Sequence, residues 1–262
     1  MIDIGVNFTN KRFDKDRSDI IQRAKKNKVS GFLVTGTNIE ESKKALDLCQ
    51  QFPNYLNCTA GVHPHDADHV SANYLEKITE LARHHQVKAI GECGLDFNRN
   101  FSAPEQQLKV FQQQIDLAVV LKLPLFLHQR EAFEPWLELL KPALGKVPAM
   151  VSHCFTGNKK ELERCLAADM YIGITGWLCD ERRGQELRDI IKYIPLNRLM
   201  IETDAPYLTP RNIRPKPKSS RNEPSYLPYV VQTYAELTGL SSEIIIQQSS
   251  INAQKVFDLP MT

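Results

Sequence analysis

LPLFLH, residues 123–128, is a short apolar run that closes on a histidine. Three other runs share its form. VKAIGE (87–92) closes on Glu92, AMVSH (149–153) closes on His153, and LMIET (199–203) is followed by Asp204. A helical pattern or a polar loop comes after each, as it does after the carboxyl end of a parallel strand. That end is where an α/β barrel gathers its chemistry. One polar residue in such a slot is an accident, but two histidines and two carboxylates in the same slot point to a metal-dependent active site.

Outward from these runs, apolar stretches alternate with amphipathic patterns along the whole chain. Strands are expected near 2–7, 32–36, 56–61, 88–92, 124–128, 149–153, 171–175 and 198–203. Helices are expected near 16–28, 39–51, 71–86, 104–122, 131–144, 158–168, 181–193, 226–238 and 241–257. Ser71 and Ser102 mark helix starts, the second with Pro104 in the first turn and Glu105 three residues on. Eight strand–helix units predict a TIM-type (β/α)8 barrel. The 262 residues fit one such barrel of ~250 residues, so the expected organisation is a single domain over 1–262. An open doubly wound sheet fits less well, because no G-x-G-x-x-G follows a strand and no G-x-x-x-x-G-K-[ST] occurs.

The chain is 42% hydrophobic and 24% charged, enough to bury a core without staples. Its net charge of +2 gives no whole-surface attraction to nucleic acid, so an anionic substrate must be held by local charge. Cysteines at 49, 58, 93, 154, 165 and 179 form no Cys-x-x-Cys pair. This argues against a zinc ribbon and for a reducing compartment. MIDIGVNFTNKRFDKDRS has no apolar signal-peptide core, and no apolar stretch approaches membrane-spanning length. The expectation is a cytoplasmic protein with no membrane partner, active as a monomer.

Side chains alternate faces along a strand, so parity tests which residues share a centre. Ile90 pairs with Glu92; Phe126 with His128 and Arg130; Val151 with His153 and Phe155; Met200 with Glu202 and Asp204. The GVHPH loop adds His63 and His65. Imidazole and carboxylate hold a divalent ion, which lowers the pKa of bound water from ~15.7 towards ~7 for zinc. Glu92 or Asp204 then orients or deprotonates that water. The ligand mix leaves Mg²⁺, Mn²⁺ and Zn²⁺ open.

Taken singly, His128 and His153 read as satisfied buried histidines, and Glu92 and Asp204 as helix caps or barrel salt bridges. Burying four polar groups at four strand ends without a shared purpose is costly, which favours the joint reading. His63 is a site residue or a brace for Pro64, and His65 a structural or surface residue. Glu202 is a partner of the site or buried support, while Cys93 and Cys154 are core. PRNIRPKPKSSRNEP (210–224) carries five cations and four prolines that forbid a helix. It follows the strand carrying Asp204, so it is expected at the same rim, holding phosphate together with Arg130. Its other reading is a solvated loop. Phe97, Trp177 and Tyr207 are candidates for stacking on bases.

At these residues the chain resembles the TatD family of metal-dependent deoxyribonucleases. The matching segments are AGVHPHDA (60–67), AIGECGLDFNRNFS (89–102), LPLFLHQR (123–130), SHCFTGN (152–158), YIGITGW (171–177), IETDAPYL (201–208) and RNEPSYLP (221–228). DIGVN (3–7) and ITGWLCDERRG (174–184) narrow the likeness to its bacterial members. The resemblance implies an amidohydrolase-like TIM barrel and a Mg²⁺-assisted 3′–5′ exonuclease on single-stranded DNA and RNA, serving DNA repair or nucleic-acid turnover. It implies that Glu92, His128, His153 and Asp204 are metal ligands and that His63 sits beside the scissile phosphate. Arg221 and Asn222 would belong to the loop approaching the substrate. Most of the wider family opens with Asp-x-His-x-His, whereas this chain has Asp3-Ile4-Gly5-Val6-Asn7. One firmly held ion is therefore expected, with a second bound weakly or only with substrate, and a tilt towards Mg²⁺. The alternatives are a barrel hydrolase of a small amide, lactone or phosphotriester, and a binding protein that has lost its chemistry.

Overall fold

The eight apolar runs form eight parallel strands: β1 Ile2–Val6, β2 Gly31–Val34, β3 Leu56–Ala60, β4 Val87–Asp96, β5 Leu125–Arg130, β6 Met150–Ser152, β7 Tyr171–Ile174 and β8 Leu199–Ile201. This computed structural model describes residues 1–260. The strands pair in chain order in one sheet, with helices between them, as a (β/α)8 barrel requires. The seam between β8 and β1 closes through few contacts. Val6 and Ala205 form an isolated parallel bridge. Asp204 N–H donates to Gly5 O (2.8 Å) and Asn7 N–H to Ala205 O (2.8 Å). Buried Asp3 spans the same seam, accepting from Thr203 N–H at 2.9 Å and the Thr203 hydroxyl at 2.6 Å.

The barrel is apolar at one end and polar at the other. Ile4, Leu33, Phe126, Val151 and Met200 fill the lower interior and pack with Phe257 and Leu259 at the end of the last helix, Ser242–Phe257. That helix plugs the amino ends of the strands and leaves the carboxyl ends open. Separately, outward-facing strand residues pack with the helices around Phe111 and Trp136.

Several local expectations change. β4 does not stop at Glu92 but continues to Asp96. Its register against β5 shifts between Ile90 and Cys93, so alternation breaks there. Ile90 joins the outer core while Ala89 faces the inner one; Ile90 and Glu92 do not share a face. In the same way, a left-handed backbone at Cys154 (φ 46°) sends Phe155 into the outer core instead of alongside His153. Ser102 caps no helix. Its hydroxyl accepts from Asp68 N–H and donates to His65 O, bracing the GVHPH loop, while Pro104 opens the helix Pro104–Leu121. The helix expected from Ser71 is Tyr74–Ala82, and those near 16–28 and 181–193 shorten to Arg17–Lys26 and Gln185–Ile190. Among the described residues no helix is long and apolar enough to cross a membrane.

Candidate metal centre

At the carboxyl ends of the strands lies a cleft of about 1640 Å³, lined by His63, Glu92, His128, Arg130, His153 and Asp204 among others. Glu92 is its hub. One oxygen, Oε1, lies 2.9 Å from His128 Nδ1, 3.3 Å from His63 Nε2 and 3.5 Å from His153 Nε2. Burial opposes the charge on Glu92, but His63 and His153 outweigh it and hold the carboxyl well below its ordinary range.

Each histidine is fixed by its other ring nitrogen. His63 caps the turn Pro64–His69, and its Nδ1 accepts from His65 N–H at 3.1 Å. Its Nε2 therefore carries the proton and faces Glu92. Burial lowers the His63 pKa and favours this neutral form. His153 Nδ1 lies 2.6 Å from Glu202 Oε2, leaving Nε2 turned to Glu92. Burial works against charge on His153, but Glu202 and Glu92 push it up to about 10. An imidazole nitrogen backed by a carboxylate on its far side and aimed at a second carboxylate is the arrangement in which metal-binding histidines are held.

His128 repeats the pattern with a different partner. Its buried Nε2 makes no hydrogen bond, although it lies 3.5 Å from Asp96 Oδ2. Burial opposes charge on His128, but Asp96 and Glu92 raise its pKa, so this nitrogen meets the carboxylate either as a proton donor or across a bound cation. Asp204, with a left-handed backbone (φ 53°), is held by Asn7 Nδ2 donating to Oδ1 at 2.9 Å. Burial, resisted by His153, pushes its pKa up to about 7. The donors sort into two groups whose ligand atoms lie within 4.8 Å of one another: His63, Glu92 and His128, and His153, Cys154 and Asp204. The residues present thus fit a divalent ion on either side of Glu92.

The structure adds residues that the sequence reading missed or placed elsewhere. Asp96, buried beside His128, anchors the turn after β4 by accepting from Asn98 and Arg99 N–H. Burial opposes its charge, yet His128 and His65 hold its pKa far below the ordinary range. It shares strand parity with Glu92 and would have been found had the strand been extended through Gly94. His65, expected as structural or surface, lines the cleft with Nε2 2.7 Å from Asp96 Oδ2. Cys93 is core as expected, but Cys154 opens on the cleft. Glu202 is the buried partner of His153.

Two expected substrate residues are not brought to the cleft. Arg221 makes a paired ion bridge to Asp16 (2.8 and 2.7 Å) and donates to Arg12 O. Asn222 is fully buried, its Nδ2 donating to Thr203 O. None of residues 210–224 lines the cleft. Arg214 folds back onto the carbonyls of Arg211 and Ile213, and Arg211 leans towards Asp180. The cations at the cleft are Lys11, Arg17, Lys44, Arg99, Arg130 and Arg183, with Arg183 over the ring of Trp177 at 4.6 Å. Trp177 and Tyr207 reach the cleft, whereas Phe97 packs against the core. Phe101, 62% exposed, stands at the rim with its ring 4.7 Å from that of His65.

Fold and site together define a hydrolase barrel built around divalent metal. The family model described as TatD related DNase matches residues 2–258, and the chain belongs to that family. It is 54% identical, over 99% of its own length and 100% of the relative's, to the 3′-5′ ssDNA/RNA exonuclease TatD of Erwinia tasmaniensis. Among solved structures it is similar to a TatD family hydrolase from Entamoeba histolytica (TM-score 0.90, 27% identity, covering 99% and 98% of the two chains). It is equally similar to YJJV, a TatD homologue from Escherichia coli K12 (TM-score 0.90, 28% identity, the same coverage).

Proposed function

We propose that this protein hydrolyses phosphodiester bonds from the 3′ end of single-stranded DNA and RNA, with Mg²⁺ as the working ion and Mn²⁺ or Zn²⁺ as substitutes. The observation that carries the reading is the convergence of three imidazoles on Glu92 Oε1, in a chain 54% identical to a named 3′-5′ ssDNA/RNA exonuclease. Glu92, His128, His153 and Asp204 would hold the ion. When bound, it neutralises phosphate charge and makes water a better nucleophile.

The remaining work falls to side chains. Asn7 occupies one oxygen of Asp204 and leaves the other to take the proton of the attacking water. As the new phosphorus–oxygen bond forms, the bond from phosphorus to the ester oxygen of the remaining strand breaks, and that oxygen takes the electron pair and then a proton from solvent. The His63 Nε2–H donates to a phosphate oxygen as charge develops, and Arg130 supports it from the end of β5. Phe101, Tyr207 and the Trp177–Arg183 pair give flat faces for bases. A cleft of this breadth suits a polymer better than a small amide, lactone or phosphotriester. The reading places one monomeric catalytic domain over 1–262 in the cytoplasm, in DNA repair or nucleic-acid turnover. All six cysteines are free, which supports a reducing compartment.

The test is digestion of 3′- and 5′-labelled single-stranded and duplex DNA and RNA with and without Mg²⁺. Single strands should shorten from the 3′ end only when a divalent ion is present. Glu92→Gln and His153→Ala should slow this by ~10²-fold or more. Wild-type rates in either variant, or in a chelator, would sink the assignment.

A further inference from the structure

Cys154 is the one cysteine of six that is not buried, and it stands inside the metal cleft. Two features place it there. Its left-handed backbone (φ 46°) ends the alternation of β6, and its N–H donates to Glu202 Oε1 at 2.5 Å. Glu202 thereby grips both His153 and the next residue, and holds the thiol on the cleft side. A donor atom from each of His153, Cys154 and Asp204 lies within 4.8 Å of the others. The sulfur has one weak neighbour, Thr175 Oγ1 at 3.6 Å.

The first strand offers this half of the cleft no nitrogen ligand. A Cβ at Gly5 would come within 2.2 Å of Glu202 Oε2 and 3.3 Å of His153 Nδ1, so no side chain from residue 5 can enter. Asn7 spends its amide on Asp204. Besides Glu92, Cys154 is a donor within reach of both His153 and Asp204.

We propose that Cys154 is an auxiliary metal ligand beside His153 and Asp204, a thiolate that tightens the hold on Zn²⁺ or Co²⁺ when either replaces Mg²⁺ and that Mg²⁺ itself does not use. The inference rests on the metal-centre reading above. Thiolate is a soft ligand that suits zinc and cobalt, whereas Mg²⁺ takes oxygen and sheds water reluctantly. On binding, the sulfur–metal bond forms as the S–H proton leaves to solvent, with no change of oxidation state.

The experiment uses the full chain and variants Cys154→Ser and Cys154→Ala, shown to be folded by their thermal transitions. Co²⁺ is titrated by absorption, and Zn²⁺ and Mg²⁺ by calorimetry. Wild type should develop a thiolate-to-cobalt charge-transfer band in the near ultraviolet, which both variants lose. Zn²⁺ affinity should fall about tenfold or more in the variants, while Mg²⁺ affinity stays the same. Co²⁺ binding without that band, or undiminished Zn²⁺ affinity in both variants, overturns the role of Cys154 and leaves the metal centre standing. No binding of any of the three ions by wild type overturns the centre and this ligand together.

Discussion

Glu202 is fully buried and spends one oxygen on His153 Nδ1 and the other on the Cys154 N–H. Its charge has two opposed effects on metal binding. It orients the ring, and with Glu92 it outweighs burial to keep a proton on His153 up to about pH 10. An ion taking His153 Nε2 must bind a ring that has given up its extra proton, so affinity falls as pH falls. Between about pH 6 and 8 the wild-type dissociation constant should drop about tenfold per pH unit for each proton released. In Glu202→Gln that slope should flatten, because the support for the imidazolium is gone. Calorimetry across this range checks it, and a pH-independent wild-type constant would remove His153 from the ligand set. At this scale, types and parity made His128, His153, Glu92 and Asp204 legible. Asp96 was hidden because β4 was expected to end at Glu92, and Cys154 because a left-handed turn after β6 breaks the alternation that parity relies on.

The β8–β1 seam depends on Asp3 more than on a ladder. Burial pushes its carboxyl up to about 7, against the pull of the Thr203 and Gly5 donors. A carboxyl whose folded pKa lies above its ordinary 3.8 is favoured by the fold in its protonated form. Its contribution to stability is complete at low pH and is lost as pH rises through about 7. Asp3→Asn keeps the shape and cannot ionise, so its thermal midpoint should fall less than wild type's between about pH 5 and 8. Parallel losses in the two proteins would show that Asp3 is ionised in the fold throughout. Strands were legible because buried parallel strands read as continuous apolar runs. Only β4 misled, since the glycines of GECGLD resemble a stop. The basic stretch 210–224 was legible as a break but not in its direction. Its placement is decided by long-range partners, Asp16 for Arg221 and Asp180 for Arg211, which local composition does not encode.

Across the whole molecule the net charge is slightly positive, yet acids outnumber bases among the residues lining the cleft. A polyanion entering a metal-free cleft therefore meets repulsion, which a divalent ion reverses. Charge pairs at ~4 Å contribute roughly 1–4 kcal/mol between bulk-water and near-surface conditions. Chelation should then weaken binding of a non-cleavable single-stranded DNA by about tenfold or more. Fluorescence anisotropy with and without Mg²⁺ reads this directly; equal affinities would mean that the flanking arginines hold the strand unaided.

The apolar floor has a practical side. β1 begins at Ile2 in the same cluster that Phe257 and Leu259 plug, so both ends of the described chain are anchored at the base of the barrel. A handle joined at either end leaves from the side remote from the mouth. Molecules tethered to a surface by such a handle would all point their clefts at the solution. One strand could then be followed through one molecule without the anchor crossing its path.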